Sequence, residues 1–214
     1  MIERILPPVV AVVEAFHDLP DAELFDVEQA VIGQAVAARR REFATVRACA
    51  RAALAKLGLP PVPILSGQRG APMWPTGIVG SMTHCAGYRA AAVARAVEVI
   101  ALGLDAEPNV PLPSGVLDLV AGPAEQSHLA ALAEARADVC WDRLLFSAKE
   151  SVYKAWFPLT GRWLDFTEAA LTLDPVAGSF TARLLVPGPV RGFDGRYTVH
   201  DGLVLTAVAV LSQG

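Results

Sequence analysis

The sequence predicts an α/β (α+β) protein built from two similar halves related by a pseudo-twofold. Apolar residues recur at helical spacing over residues 26–57 and again over 139–157, with alternating apolar runs after each. The segment GSMTHCAGYRAAAVA, from Gly80, echoes GRYTVHDGLVLTAVAV, from Gly195. Both are strand–turn–strand patterns that follow a helix bearing Arg or Lys, which fits a duplicated α/β unit. The composition, 53% hydrophobic and 19% charged over 214 residues, is that of a folded core and not of a disordered chain. No plausible cut separates independent domains, so 1–214 reads as a single unit with approximate halves 1–107 and 108–214.

The elements follow in order. A helix over 26–57 ends at Gly58 and Pro60, and a Gly/Pro-punctuated loop covers 60–77. Residues 78–84 and 88–95 read as strands around a Cys85-Ala86-Gly87 turn, and 99–104 as a third. Residues 108–122, rich in Pro and Gly, read as a connection. A short helix over 123–135 precedes a longer one over 139–157, stopped by Pro158. Strands over 169–173, 180–186, 196–200 and 203–210 complete the chain.

Net charge is −4, so nothing global points to nucleic acid. The longest early apolar run, 9–13, is stopped by Glu14, too short for a membrane span and without a basic leader, so a cytoplasmic protein is expected. Cys49, Cys85 and Cys140 are widely spaced and lack a C-x-x-C pair, as befits reduced, mostly buried thiols. Six basic residues lie between Arg39 and Lys56 against one acid, Glu42, which reads either as a solvated helix face or as a surface for an anion. No G-x-S-x-G, H-E-x-x-H or Walker A sequence occurs, and Gly67-Gln68-Arg69-Gly70 lacks dinucleotide spacing.

Two segments carry chemistry. GLDAEP, from Gly103 to Pro108, puts Asp105 and Glu107 two apart at a strand end, where both project to one face. FSAKESVYKAW, from Phe146 to Trp156, puts Glu150 and Lys154 four apart on a helix face. Taken singly, the first is a turn or solvated edge and the second a surface pair stabilising by about 0.2–0.5 kcal/mol. Converging, three carboxylates and a lysine suit a hard divalent cation, Mg²⁺ especially (Mn²⁺ as an alternative), with a phosphate-bearing substrate.

Together the two segments resemble the paired signatures of the 4′-phosphopantetheinyl transferases, with Leu104 in place of the usual β-branched residue before Asp105. RRREFATVRACARAAL, the G-x-x-G-x-P-x-WP block from Gly67 to Pro75, and GSMTHCAGY resemble further blocks of the pseudo-dimeric, broad-specificity class, of the enterobactin synthetase component D type and its actinobacterial relatives. The resemblance implies transfer of the 4′-phosphopantetheine arm of coenzyme A to a serine of apo acyl or peptidyl carrier proteins, releasing 3′,5′-ADP. It implies Mg²⁺ on Asp105, Glu107 and Glu150, Glu150 as base and Lys154 as phosphate ligand. It also implies coenzyme A contacts from Arg39, Arg47, Arg69, Thr83 and His84, and from Ser66, which stands where near relatives carry a lysine. A monomer is implied, serving polyketide, non-ribosomal peptide, siderophore or fatty-acid synthases, with no membrane or nucleic-acid partner. The loop over 108–122, with Val110, Leu112, Val116 and Leu117, is read either as the carrier-docking surface or as packing on the protein's own core. The rival expectations are a metal-dependent phosphohydrolase and a non-catalytic coenzyme A binding module.

Overall fold

A computed structural model describes residues 1–212. Among these, two antiparallel sheets and five α-helices make a mixed α+β fold. The first sheet has the order β1 (Ala11–Ala15), β3 (Tyr88–Arg95), β2 (Ile78–Cys85). The second has the order β4 (Val99–Pro108), β8 (Leu203–Leu211), β7 (Gly192–His200), β6 (Ser179–Leu184), β5 (Ala169–Asp174). The helices are α1 (Asp26–Ile32), α2 (Ala37–Lys56), α3 (Val116–Val120), α4 (Pro123–Ala135) and α5 (Trp141–Thr160).

The alanine-rich β3 explains the layering. Its side chains alternate between faces, and both faces are buried. Ala90, Ala92 and Ala94 pack with Leu102 and Leu104 of β4 and Leu205 of β8, between the sheets. Ala91 and Val93 pack with Cys49, Ala50, Ala53 and Leu54 of α2. On the far side of the second sheet, α4 and α5 close the largest core through Leu129, Leu144, Val152 and Trp156. The order is therefore α2, first sheet, second sheet, then α4 and α5. The hairpins β2–β3 and β7–β8, paired by the internal echo, both turn through two residues, closing on Cys85–Tyr88 and His200–Leu203. The sheets they enter differ in size, and β4 is bonded to β8.

The sheets meet where β2 lies beside β4, and there the Leu104 N–H donates to the Ser81 hydroxyl at 3.0 Å. α5 crosses β4 at Gly103, so closely that a Cβ there would lie 1.9 Å from the Ser151 carbonyl oxygen and 2.8 Å from the Ala155 nitrogen. Both obstacles are backbone and cannot rotate away. Gly103→Ala is expected to destabilise by about 3 kcal/mol or more, read as a lowered urea midpoint. A change below about 1 kcal/mol would mean that the helix slides freely on the strand.

Four expectations need correction. The helix over 26–57 is two helices, broken at residues 33–36. In one straight helix Glu28 and Arg51 would stand about 35 Å apart, whereas their ion pair is 3.0 Å. Glu28 is fully buried, accepts from the Ile64 N–H, and so draws α1 back against α2. Pro158 does not stop α5, which runs to Thr160 and is capped by Gly161 in the left-handed region. Lacking an N–H, Pro158 leaves the Lys154 carbonyl, four residues before it, without its intrahelical bond. The helix still carries on for two residues beyond it, where the Thr160 hydroxyl adds a bond to the Trp156 carbonyl. The connection over 108–122 contains α3. The apolar run over 9–13, weighed only as a membrane span, enters β1, paired with β3. Among the described residues no helix is long and apolar enough to cross a membrane.

Candidate active site

β4 stays extended through Pro108, so Asp105 and Glu107 share a face as their spacing requires. The crossing at Gly103 sets Glu150 and Lys154 of α5 beside them. Lys154 Nζ donates to Asp105 Oδ1 at 2.8 Å. The helix lysine thus pairs across 49 residues, not with Glu150 one turn before it. Asp105 is 5% exposed, and its Oδ2 is buried with no hydrogen-bond partner. Thr83 of β2 points its hydroxyl at Asp105 Oδ1, at 3.5 Å.

Arg143, seven residues before Glu150 on α5, donates to Glu107 Oε2 at 3.0 Å and to the carbonyls of Val110 and Pro111. It went unread in the sequence, although seven residues is two turns and returns to the same face. Burial and then Asp105 raise the Glu107 pKa, with Arg143 opposing. Burial and then Asp105 likewise raise that of Glu150, with Lys154 opposing and Glu107 adding. Burial, Glu107 and Asp105 push the Cys85 thiol up to about 12, so it stays protonated beside this acidic corner.

Among the described residues no three His, Cys, Asp or Glu side chains stand as a ready-made metal cage. Asp105 and Glu107 are each held by a cation instead. The corner nevertheless fits a hard cation chemically. It has one orphaned buried carboxylate oxygen, and two neighbouring acids whose pKa values are raised by burial and then by Asp105, which a cation would reverse.

A cleft of about 730 Å³ opens beside this corner. α5 contributes Glu150, Tyr153 and Lys154 to its lining, and α2 contributes Arg39, Phe43 and Arg47. His84 and the loop with Ser66 and Arg69 complete the set. Eight of the ten site residues expected from the sequence therefore either line the cleft or, in the case of Asp105, bond to a residue that does. Glu107 stands two residues beyond Asp105. Thr83 is buried away from the lining, against Asp105.

Arg47 is 4% exposed and rests on the Phe43 ring, donating to the Ile64 carbonyl at 3.0 Å and to the Ser66 hydroxyl at 3.3 Å. Burial lowers its pKa to about 10, against Glu28, which raises it. Ser66 thus orients an arginine where a lysine would have added charge. Arg69 sits at φ 53° in a short turn, with its guanidinium 5.0 Å from the centre of the Trp163 ring.

His84 is held from both sides: Nε2 lies 2.8 Å from Arg39 Nη1, and Nδ1 lies 3.0 Å from Glu42 Oε1. Glu42, noticed in the sequence only as the lone acid in a basic run, is the centre of this cluster. Burial lowers the His84 pKa, Glu42 opposes, and Arg39, Lys154 and Arg89 add to the lowering. Of the apolar residues expected to face a carrier, Leu112, Val116 and Leu117 pack on the main core, while Val110 is half exposed.

Known proteins resemble this chain throughout its length. Residues 27–94 match the family model described as the 4′-phosphopantetheinyl transferase N-terminal domain, and residues 101–206 match that of the 4′-phosphopantetheinyl transferase superfamily. The chain is 60% identical to the 4′-phosphopantetheinyl transferase Svp of Streptomyces mobaraensis, over 98% of this chain and 89% of the relative. It is 48% identical to the 4′-phosphopantetheinyl transferase Npt of Nocardia iowensis, over 98% and 99%. It is 46% identical to the 4′-phosphopantetheinyl transferase PptT of Mycobacterium tuberculosis, over 98% of both.

Proposed function

The chain belongs to the 4′-phosphopantetheinyl transferase superfamily, and on that premise we propose that it moves the 4′-phosphopantetheine arm of coenzyme A onto a serine of an apo carrier protein. The carrier hydroxyl attacks the β-phosphorus, the P–O bond to the nucleotide breaks, and 3′,5′-ADP leaves with that bond's electrons. One observation carries the assignment of roles. The corner that holds Asp105, Glu150 and Lys154 borders the same cleft as Arg39, Arg47 and His84. A substrate with a pyrophosphate and a further phosphate matches such a run of groups.

In this reading Glu150 takes the serine proton, directly or through one water; its raised pKa suits a base that must hold that proton. Lys154 releases Asp105 to meet phosphoryl oxygens, and Arg39, Arg47 and His84 hold the nucleotide end. Asp105, Glu107 and Glu150 would hold Mg²⁺, which when bound neutralises charge on the transferring phosphoryl group. Ala106 offers only backbone, so water would have to supply the remaining ligands. The reading extends to a cytoplasmic monomer whose two halves, 1–107 and 108–214, act as one unit on carrier domains of fatty-acid, polyketide or non-ribosomal peptide synthases.

Intact mass of a panel of apo carriers, incubated with coenzyme A and Mg²⁺, tests the reaction. Gain of one phosphopantetheine group is expected. Free phosphopantetheine released without any carrier would indicate hydrolysis, and binding without turnover a non-catalytic module.

Metal occupancy has its own expected signature. Glu107 and Glu150 have raised pKa values in the folded chain. Their contribution to stability is whole below the ordinary value of 4.5 and is lost as pH rises through the folded pKa. A cation that binds the ionised acids offsets this loss. Mg²⁺ should therefore raise Tm at pH 7 and progressively less as pH falls toward 4.5. An increment independent of pH would remove these carboxylates from the metal assignment.

A further inference from the structure

We propose that Glu42 is a positioning residue for phosphate recognition, holding His84 as a neutral ring that takes up a proton when a phosphate monoester binds. The proposal rests on the reading that Arg39 and His84 contact a coenzyme A phosphate.

Hydrogen-bond directions fix the tautomer of His84. Arg39 can only donate, so the 2.8 Å contact makes His84 Nε2 an acceptor. The ring's one proton is then on Nδ1, donated to Glu42 Oε1 at 3.0 Å. Glu42 also accepts from Arg39 Nη1 at 2.5 Å, through Oε2, and so fixes both partners. It is itself held from behind. Arg89 Nη2 stands 3.7 Å from Glu42 Oε1, and Arg89 is locked by Asp18 at 2.9 Å and by the Cys85 carbonyl at 2.6 Å. The charged groups facing His84 are thus Arg39 and Glu42 from α2, Arg89 from β3 and Lys154 from α5.

Burial first, opposed by Glu42 and reinforced by the three cations, favours the neutral ring. A phosphate dianion reverses the balance. Arg39 turns its fork to the phosphate and frees Nε2, which then acquires a proton from solvent and donates it to the same phosphate. The Nδ1–Glu42 bond persists and supports the imidazolium, as carboxylates do for histidine elsewhere. No bond between heavy atoms forms or breaks; one proton moves from solvent to ligand-bound ring.

Calorimetry in buffers of different ionisation enthalpy tests this. Near pH 7.5, coenzyme A should bind with net proton uptake, and dephospho-coenzyme A, lacking the 3′-phosphate, with little. Glu42→Gln should abolish the uptake and weaken coenzyme A binding about tenfold, one pKa unit of lost support. Wild-type uptake in Glu42→Gln overturns the role of Glu42. Equal affinity for the two ligands, unchanged by His84→Ala, overturns the underlying phosphate reading instead. Should Glu42→Gln fail to fold, ¹⁵N shifts of His84 in the wild type decide. A ring protonated on Nδ1 alone when free, and on both nitrogens with coenzyme A, is expected. The same protonation in both states overturns the proposal.

Discussion

Asp105→Asn is expected to reduce kcat/KM for carrier modification by about 10³-fold or more, while thermal stability falls by only about 1–2 kcal/mol. The substitution keeps the shape of the buried side chain and removes the charge on which Lys154 and the orphaned Oδ2 depend. Lys154 is partly exposed and can turn to water, which limits the loss of stability. Glu107→Gln should lower turnover in the same sense, with Arg143 left anchored on the Val110 and Pro111 carbonyls. Steady-state kinetics and melting curves on both variants check this. Lost activity with gross unfolding would make the pair structural, and near-normal turnover in both would defeat the metal assignment.

Glu150→Gln is expected to lower turnover by about 10²–10⁴ with coenzyme A affinity nearly unchanged. In the wild type, kcat should rise with pH through the raised pKa of Glu150, because the base must be ionised to act. That acidic limb should vanish in the variant. Stability should move the other way. An ionised Glu150 opposes folding above its ordinary value of 4.5, so metal-free Glu150→Gln should melt higher than wild type at pH 7 and equally below pH 4.5. Lys154→Ala should impair both turnover and binding, since it also strips Asp105 of its cation. Normal turnover in both single variants would reduce the helix pair to a structural role.

Much of this site was legible because periodicity is a local property. Two residues along β4 and four along α5 fix which side chains share a face, whatever the rest of the chain does. What periodicity leaves open is the partner across space. Lys154 bonding Asp105, Arg143 bonding Glu107 and Glu42 bonding His84 all depend on α5 seating on Gly103, or on α2 packing beside β2. The break between α1 and α2 was missed for the same reason. The apolar spacing runs on past Gly33, which caps α1, and the buried Glu28 contacts with Ile64 and Arg51 hold the chain bent there. β1 is five residues long and draws its identity from pairing with β3. β5, β6 and β7 alternate clearly, while β4 and β8 are nearly continuous apolar runs. All five were found within a few residues of their bounds, the largest misses being the earlier start of β7 and the later end of β4.

The cleft has walls of unlike sign. α2 brings Arg39 and Arg47 to one part of its lining, and α5 brings Glu150, with Asp105 behind Lys154. Such a gap carries a transverse field, and a polyanion with unevenly spread charge experiences a torque within it before any contact forms. Its most charged end swings toward α2. A pair of identical halves would offer the same potential from either direction and could accept a ligand in two senses. Here the charges are divided unequally between the two sides, and on the proposed reading a single ligand would enter with its heading already set.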